Sequence, residues 1–191
     1  ENPVCRKISF TGSTSVGKYL IGGAAKKCTL LALELGGNAP LIIFDDADFD
    51  SAIEGALITK FRNTGQSCIA ANRVYVHRPI YDRFLQALVA RVQALKVGSG
   101  LEAGVDIGPM IDAKALAAAL AFVDDAVASG AKVLAGGKRH GDQGNFLQPT
   151  VLVDVAGDSK CLREEIFAPV AVVLPFDTEE QVLALANDTE F

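Results

Sequence analysis

The sequence predicts an α/β protein: a mostly parallel, twisted sheet with helices on both faces. Three observations lead there. Half of the 191 residues are apolar and 21% are charged, the balance of a folded globular chain rather than a disordered one. Short unbroken apolar runs, such as 41–44 and 170–175, suit strands covered on both sides. These runs alternate with stretches whose apolar residues recur every three or four positions, the spacing of amphipathic helices.

The elements follow in order. Residues 7–10 read as a short strand, followed by a Gly/Ser/Thr turn and a helix over 16–25. Residues 30–33 are strand-like and are broken by Gly36-Gly37. The 41–44 strand runs into Asp45, Asp46 and Asp48, which supply a cap for a helix reaching Phe61. The turn-rich stretch Asn63-Thr64-Gly65-Gln66-Ser67 leads to Cys68, with a strand over 74–76 and an amphipathic helix over 80–95 beyond it. After a 98–108 loop, Asp112 caps an Ala-rich helix that stops at Gly130, the usual C-terminal glycine position. A strand at 132–135, a polar turn at 136–145, an extended 146–153, the central 170–175 strand and a helix over 178–187 complete the chain.

Composition narrows the function. The formal net charge is −5, the isoelectric point is about 5.0, and no basic run carries interleaved aromatics, which argues against a nucleic-acid partner. No apolar stretch approaches the roughly 20 residues a membrane helix needs. Cys5, Cys28, Cys68 and Cys161 lie far apart with no CxxC pair, so all but Cys68 read as reduced, mostly buried thiols of a cytoplasmic protein. His77 and His140 have no ligand-like spacing to any cysteine, and nothing points to a zinc site or to a Ser-His-Asp triad. The chain begins without Met just before a strand-like run and stops just after a helical one, so a fragment of a longer protein is expected.

Four motifs carry chemistry. Gly12-Ser13-Thr14-Ser15-Val16-Gly17-Lys18 fits the G-x-x-x-x-G-K phosphate loop, and the acid-ended 41–45 run raises a nucleotide hydrolase as the rival class. Against it, Tyr19 stands where that loop needs a hydroxyl on Mg²⁺. What remains is a helix N-terminus suited to a phosphate or pyrophosphate. Leu33-Glu34-Leu35-Gly36-Gly37-Asn38 puts a carboxylate at the end of an apolar strand. It is either a Glu reaching solvent or a partly buried general base that a ligand approaches over the glycines. Gly65-Gln66-Ser67-Cys68 places a thiol just after a tight polar loop, where it can be exposed and activated. Glu164-Glu165-Ile166-Phe167-Ala168-Pro169 leads an acidic pair and an aromatic into a central strand, or merely caps and packs it.

In this order and spacing, Phe10-Thr11-Gly12-Ser13, Glu34-Leu35-Gly36-Gly37, Gly65-Gln66-Ser67-Cys68 and Glu165-Ile166-Phe167-Ala168-Pro169 resemble signatures of the catalytic-cysteine aldehyde dehydrogenases across essentially the whole chain. The resemblance implies that residues 1–33 are the last strand-turn-helix of a Rossmann-like cofactor domain. Residues 34–191 would be nearly all of the catalytic domain, incomplete at its C-terminus. It implies Cys68 as nucleophile and Glu34 as the base that activates water. The NAD or NADP site would comprise Gly12 and Ser13 at the pyrophosphate, Val16 at the adenine, Leu35 and Gly36 beside the base, Glu165 at the nicotinamide-side ribose and Phe167 on the nicotinamide. Part of the oxyanion hole would come from backbone N–H groups around Cys68, and its side-chain amide donor from upstream of Glu1. The family has Gly where this chain has Ala168, a change expected to be tolerated.

Phe61-Arg62-Asn63-Thr64-Gly65-Gln66 resembles the succinate-semialdehyde dehydrogenase branch, in which an Arg six residues before the Cys binds the substrate's remote carboxylate; here that is Arg62. The other reading of Arg62 is a helix C-terminal cation answering the macrodipole. Glutarate semialdehyde and similar ω-oxo acids compete as substrates, and a neutral aldehyde is the alternative. Ala70 occupies the place of a second cysteine found in some members, so no redox disulfide is expected there. The resemblance further implies a homodimer or homotetramer. Little activity is expected from this chain in isolation. A noncatalytic scaffold on the same fold is disfavoured by the presence of both Cys68 and Glu34.

Overall fold

A computed structural model describes residues 2–191. The chain divides into two compact units, Glu1–Gly37 and Asn38–Phe191.

In the smaller unit, β1 (Lys7–Gly12) and β2 (Leu30–Leu35) pair in parallel and are joined by α1 (Thr14–Ala25). The helix starts two residues earlier than its apolar spacing suggests, because Ser13 caps it by accepting from the Val16 N–H at 3.5 Å. β2 also runs past Leu33 to Leu35, which puts Glu34 inside the strand, opposite Thr11.

In the larger unit the strands are β3 (Pro40–Ile43), β4 (Arg73–His77), β5 (Lys132–Ala135), β6 (Thr150–Val153) and β7 (Val170–Phe176). They lie in the order β3-β4-β7-β6-β5, parallel throughout except for the β5–β6 pair. This is the expected, mostly parallel sheet.

Alternation along the central strands sends side chains into two cores. Val74, Val76, Val151, Ala171 and Val173 face one side, against Ile53, Ala56 and Leu57 of α2 (Phe49–Phe61) and Phe84, Leu88 and Val92 of α3 (Arg78–Gln93). Leu152, Val170 and Val172 face the other side, against Leu116, Ala119 and Val123 of α4 (Ala113–Ala128) and Cys161 of the short helix α5 (Lys160–Arg163). Tyr75 and Phe176 meet Val182 of α6 (Glu179–Asn187). Both faces are therefore covered, as unbroken apolar strands require. Asp48, Asp112 and Thr178 are the N-caps of α2, α4 and α6, each accepting from the backbone N–H three residues on. Gly130 closes α4 at a φ of 100°.

The topology brings three loops to one end of the sheet. β3, β4 and β7 are parallel neighbours, so the segments that enter them, at Asn38, at 66–72 and at 164–169, emerge side by side.

Candidate active site

Cys68 lies exposed in the turn between α2 and β4. The backbone approaching it is strained. Asn63, Thr64 and Gly65 are three successive left-handed residues, with φ of 54°, 59° and 68°. That conformation costs an L-residue roughly 1–2 kcal/mol and is a marked outlier for a β-branched side chain such as Thr64. Side-chain bonds offset it. Asn63 Nδ2 donates to the Gln66 carbonyl at 2.7 Å and Thr64 Oγ1 to the Gly108 carbonyl at 3.3 Å. Gln66 Nε2 donates to the Pro109 carbonyl at 3.3 Å while its Oε1 accepts from the Ile111 N–H at 2.9 Å. The 108–111 loop is thus the mould of the cysteine turn. Gly65 could be nothing else: a Cβ there would stand 2.5 Å from the Ala168 carbonyl carbon and 2.9 Å from the Lys60 carbonyl oxygen. Strain held this firmly marks a functional constraint more often than a packing accident.

Ser67 and Ile69, on either side of Cys68, line a pocket of about 590 Å³ together with Ile58, Thr59, Arg62 and Asn63. Arg62 ends α2, is exposed, and its guanidinium has no hydrogen bond or ion pair among the described residues. The pocket thus holds an uncommitted cation beside an accessible thiol.

The other thiols differ from expectation in part. Cys161 is fully buried and donates to the Phe122 carbonyl at 3.4 Å; burial pushes its pKa up to about 11. Cys5 and Cys28, expected to be buried, are exposed. Cys5 precedes β1, and Cys28 occupies a left-handed position (φ 50°) just past the end of α1.

The 164–169 segment borders the cysteine turn through the Gly65–Ala168 approach. Glu165 is half-buried, and Ala168 and Pro169 are buried. Phe167 is 43% exposed and has a φ of 48°, a strained backbone that presents an aromatic ring to solvent.

In the smaller unit, Gly12 and Ser13 stand where β1 hands over to α1, at the helix N-terminus whose free N–H groups suit a phosphate. Val16, 42% exposed, lies on the first turn of α1. Leu35 is level with Gly12 in the β1–β2 register, and Gly36 follows the strand. The phosphate-loop resemblance dissolves here. Residues 14–18 are already helical, and Gly17 serves packing instead, since a Cβ there would meet Leu35 Cδ1 at 2.7 Å. Glu34 is exposed in this unit, where a general base was expected to be partly buried. Cys68, Arg62, Glu165 and Phe167 belong to the larger unit, and Glu34 with the remaining cofactor candidates belongs to the smaller one.

Two features escaped the sequence reading. Lys60 is buried directly before the cysteine turn; burial draws its pKa down to about 7, opposed in part by the neighbouring Cys161 and Glu165. Asn38, Asn72 and Arg73 form a buried polar network under the 164–166 segment. A polar Asn-Arg pair entering a strand that otherwise reads as core was the available signal for the network. Lys60 offered none beyond a charge on an otherwise apolar helix.

The aldehyde dehydrogenase family model matches residues 1–191. Glutarate-semialdehyde dehydrogenase of Pseudomonas aeruginosa is 52% identical over all of this chain and 40% of its own length. The NADP-dependent succinate-semialdehyde dehydrogenase of Escherichia coli is 53% identical with the same coverage. The crystal structure of succinate-semialdehyde dehydrogenase from Burkholderia pseudomallei superimposes with a TM-score of 0.97 at 49% identity, over all of this chain and 39% of that one. The chain thus spans about 40% of the length of the curated relatives it matches. With the fold, the motifs and the full-length match in agreement, the chain belongs to the aldehyde dehydrogenase family.

Proposed function

We propose that the protein carrying this chain oxidises an aldehyde to a carboxylic acid with NAD or NADP, and that Cys68 is its nucleophile. The observation that carries this reading is the exposed thiol on a strained, side-chain-propped turn beside a pocket that holds an uncommitted guanidinium. Cys161 cannot fill the role, because its buried, hydrogen-bonded thiol stays protonated far above neutral pH. In this reading residues 1–33 close the cofactor domain and residues 34–191 form most of the catalytic domain.

The residues present fit a nicotinamide dinucleotide. Gly12 and Ser13 at the α1 N-terminus suit its pyrophosphate, Val16 its adenine, and Leu35 and Gly36 the edge beside the base. Glu165 offers a carboxylate to a ribose, and Phe167 an exposed ring to the nicotinamide. When bound, the dinucleotide supplies the hydride acceptor that converts a thiohemiacetal to a thioester.

The chain's own residues do the rest. The Cys68 thiolate adds to the aldehyde carbon, and backbone N–H groups around it steady the oxygen as charge develops. Covalent capture holds the carbon in place through both oxidation and hydrolysis. Glu34 then takes a proton from the water that adds to the thioester; collapse releases the carboxylic acid and returns the thiolate.

Arg62 points to a substrate with a second, anionic end. A guanidinium in the pocket can grip a remote carboxylate with two hydrogen bonds, which suits succinate semialdehyde, with glutarate semialdehyde and similar ω-oxo acids as competitors. The names of the relatives run the same way. A cytoplasmic location, read from the reduced thiols, belongs to the same reading, as does a homodimer or homotetramer, which rests on the resemblance alone. The test is Arg62→Ala in the complete protein. The KM for succinate semialdehyde should rise about 10–100-fold, with a neutral aldehyde changed by less than about 3-fold. Equal losses on both substrates would remove Arg62 from the carboxylate role.

A further inference from the structure

Asn72 begins the approach to β4 and is 3% exposed. Its carboxamide is committed to four partners: Nδ2 donates to Asn38 Oδ1 at 2.8 Å, the Glu164 carbonyl at 2.9 Å and the Cys161 carbonyl at 3.2 Å, and Oδ1 accepts from the Ile166 N–H at 3.0 Å. The Glu164 carbonyl and the Ile166 N–H belong to the two peptide groups on either side of the Glu165 Cα. Fixing both planes fixes the backbone of Glu165, and with it the direction in which its carboxylate leaves the chain.

The grip is itself anchored. Asn38 Nδ2 donates to the Leu162 carbonyl at 2.9 Å, and the Asn38 carbonyl accepts from Arg73 Nε at 3.2 Å and Nη2 at 2.7 Å. The same guanidinium donates to the Leu185 and Ala186 carbonyls at the end of α6, at 2.8 and 3.0 Å. Asn38, Asn72 and Arg73 are each at most 4% exposed, so water does not compete for these bonds.

We infer that Asn72 is a positioning residue for the cofactor: by clamping the peptides around Glu165 it sets the carboxylate that meets the nicotinamide-side ribose. This rests on the proposed function, since it presumes that Glu165 faces a bound dinucleotide. A network serving only stability would lower the apparent kcat as folded protein is lost and leave both KM values unchanged. A positioning role shows as a split.

The experiment compares Asn72→Ala, Glu165→Gln and the double variant in the complete protein, with succinate semialdehyde and NADP or NAD. Asn72→Ala should raise the cofactor KM ~10-fold or more, leaving the aldehyde KM and the iodoacetamide reactivity of Cys68 within about 3-fold. In the Glu165→Gln background the same substitution should add less than about 3-fold, because the carboxylate it positions is already gone. If Asn72→Ala does not fold, Asn72→Ser, which keeps a hydroxyl in the cavity, is read for the same split. An unchanged cofactor KM, full additivity with Glu165→Gln, or failure of both Asn72 variants to fold would overturn the inference. Absence of any aldehyde- and nicotinamide-dependent turnover in the unaltered protein would sink the proposed function beneath it.

Discussion

Cys68 and Cys161 lie on segments that lead into neighbouring strands of one sheet, β4 and β7, yet their surroundings are opposite. Cys68 lies three residues past a run of three left-handed residues and is exposed to solvent, and its neighbours Ser67 and Ile69 line a pocket. Cys161 sits in a short helix among Ala119, Val123 and Val172, with its thiol spent on a backbone carbonyl. The difference teaches that a thiol's accessibility here is set by backbone and burial rather than by the residue type. A strained loop, held open by Asn63, Thr64 and Gln66, keeps one thiol out of the core; an ordinary amphipathic turn puts the other one in.

The broadest break in that comparison comes from deleting each thiol in turn. Cys68→Ser should cut kcat on the order of 10³-fold or more without loss of stability. Cys161→Ala should leave kcat within about 3-fold and cost about 1–2 kcal/mol in chemical denaturation. The reverse pattern would exchange their roles.

Gly65→Ala attacks the mould instead of the thiol. It forces a Cβ against the Ala168 carbonyl at a φ of 68°, so a destabilisation of about 2–4 kcal/mol is expected, together with loss of turnover. Denaturation midpoint and kcat, measured on the same preparation, check it.

Lys60 gives a pH signature. Folded Lys60 releases its proton near 7 and the unfolded lysine near 10.5, so between those values the unfolded state binds more protons and stability rises with pH. Lys60→Met should flatten that rise, and at neutral pH and below it should stabilise the protein by about 1–3 kcal/mol. Urea unfolding at pH 6, 7.5 and 9 reads both effects.

Much of this was legible in the sequence, for reasons particular to each element. Unbroken apolar strands and the Asp48 and Asp112 caps follow local rules, and those elements appear within two residues of expectation, whereas only Thr150–Val153 of the extended 146–153 stretch is strand. Helix α5 was not foreseen, because four residues give no periodicity to read. Glu34 was placed beyond its strand because Gly36-Gly37 drew the boundary early; the pairing with β1 carries β2 on to Leu35. The motif around Cys68 announced a turn, but its left-handed geometry depends on Gly108, Pro109 and Ile111, distant in sequence. Arg62 could be read as a helix-end cation or as an anion anchor, and the pocket it lines, formed by folding of the 58–69 stretch, has no local signature. The Asn38–Asn72–Arg73 network pairs residues up to 113 positions apart and has no local signature.

The most direct measurement traps the covalent intermediate. The complete protein bearing Glu34→Gln is mixed with succinate semialdehyde and NADP or NAD, quenched within one turnover, digested and read by peptide mass spectrometry. A succinyl adduct should accumulate on the peptide containing Cys68, because hydrolysis has lost its base, and it should fail to form without the dinucleotide. An adduct on Cys161, or none on any cysteine while the aldehyde is still oxidised, would contradict the assignment of Cys68 as nucleophile.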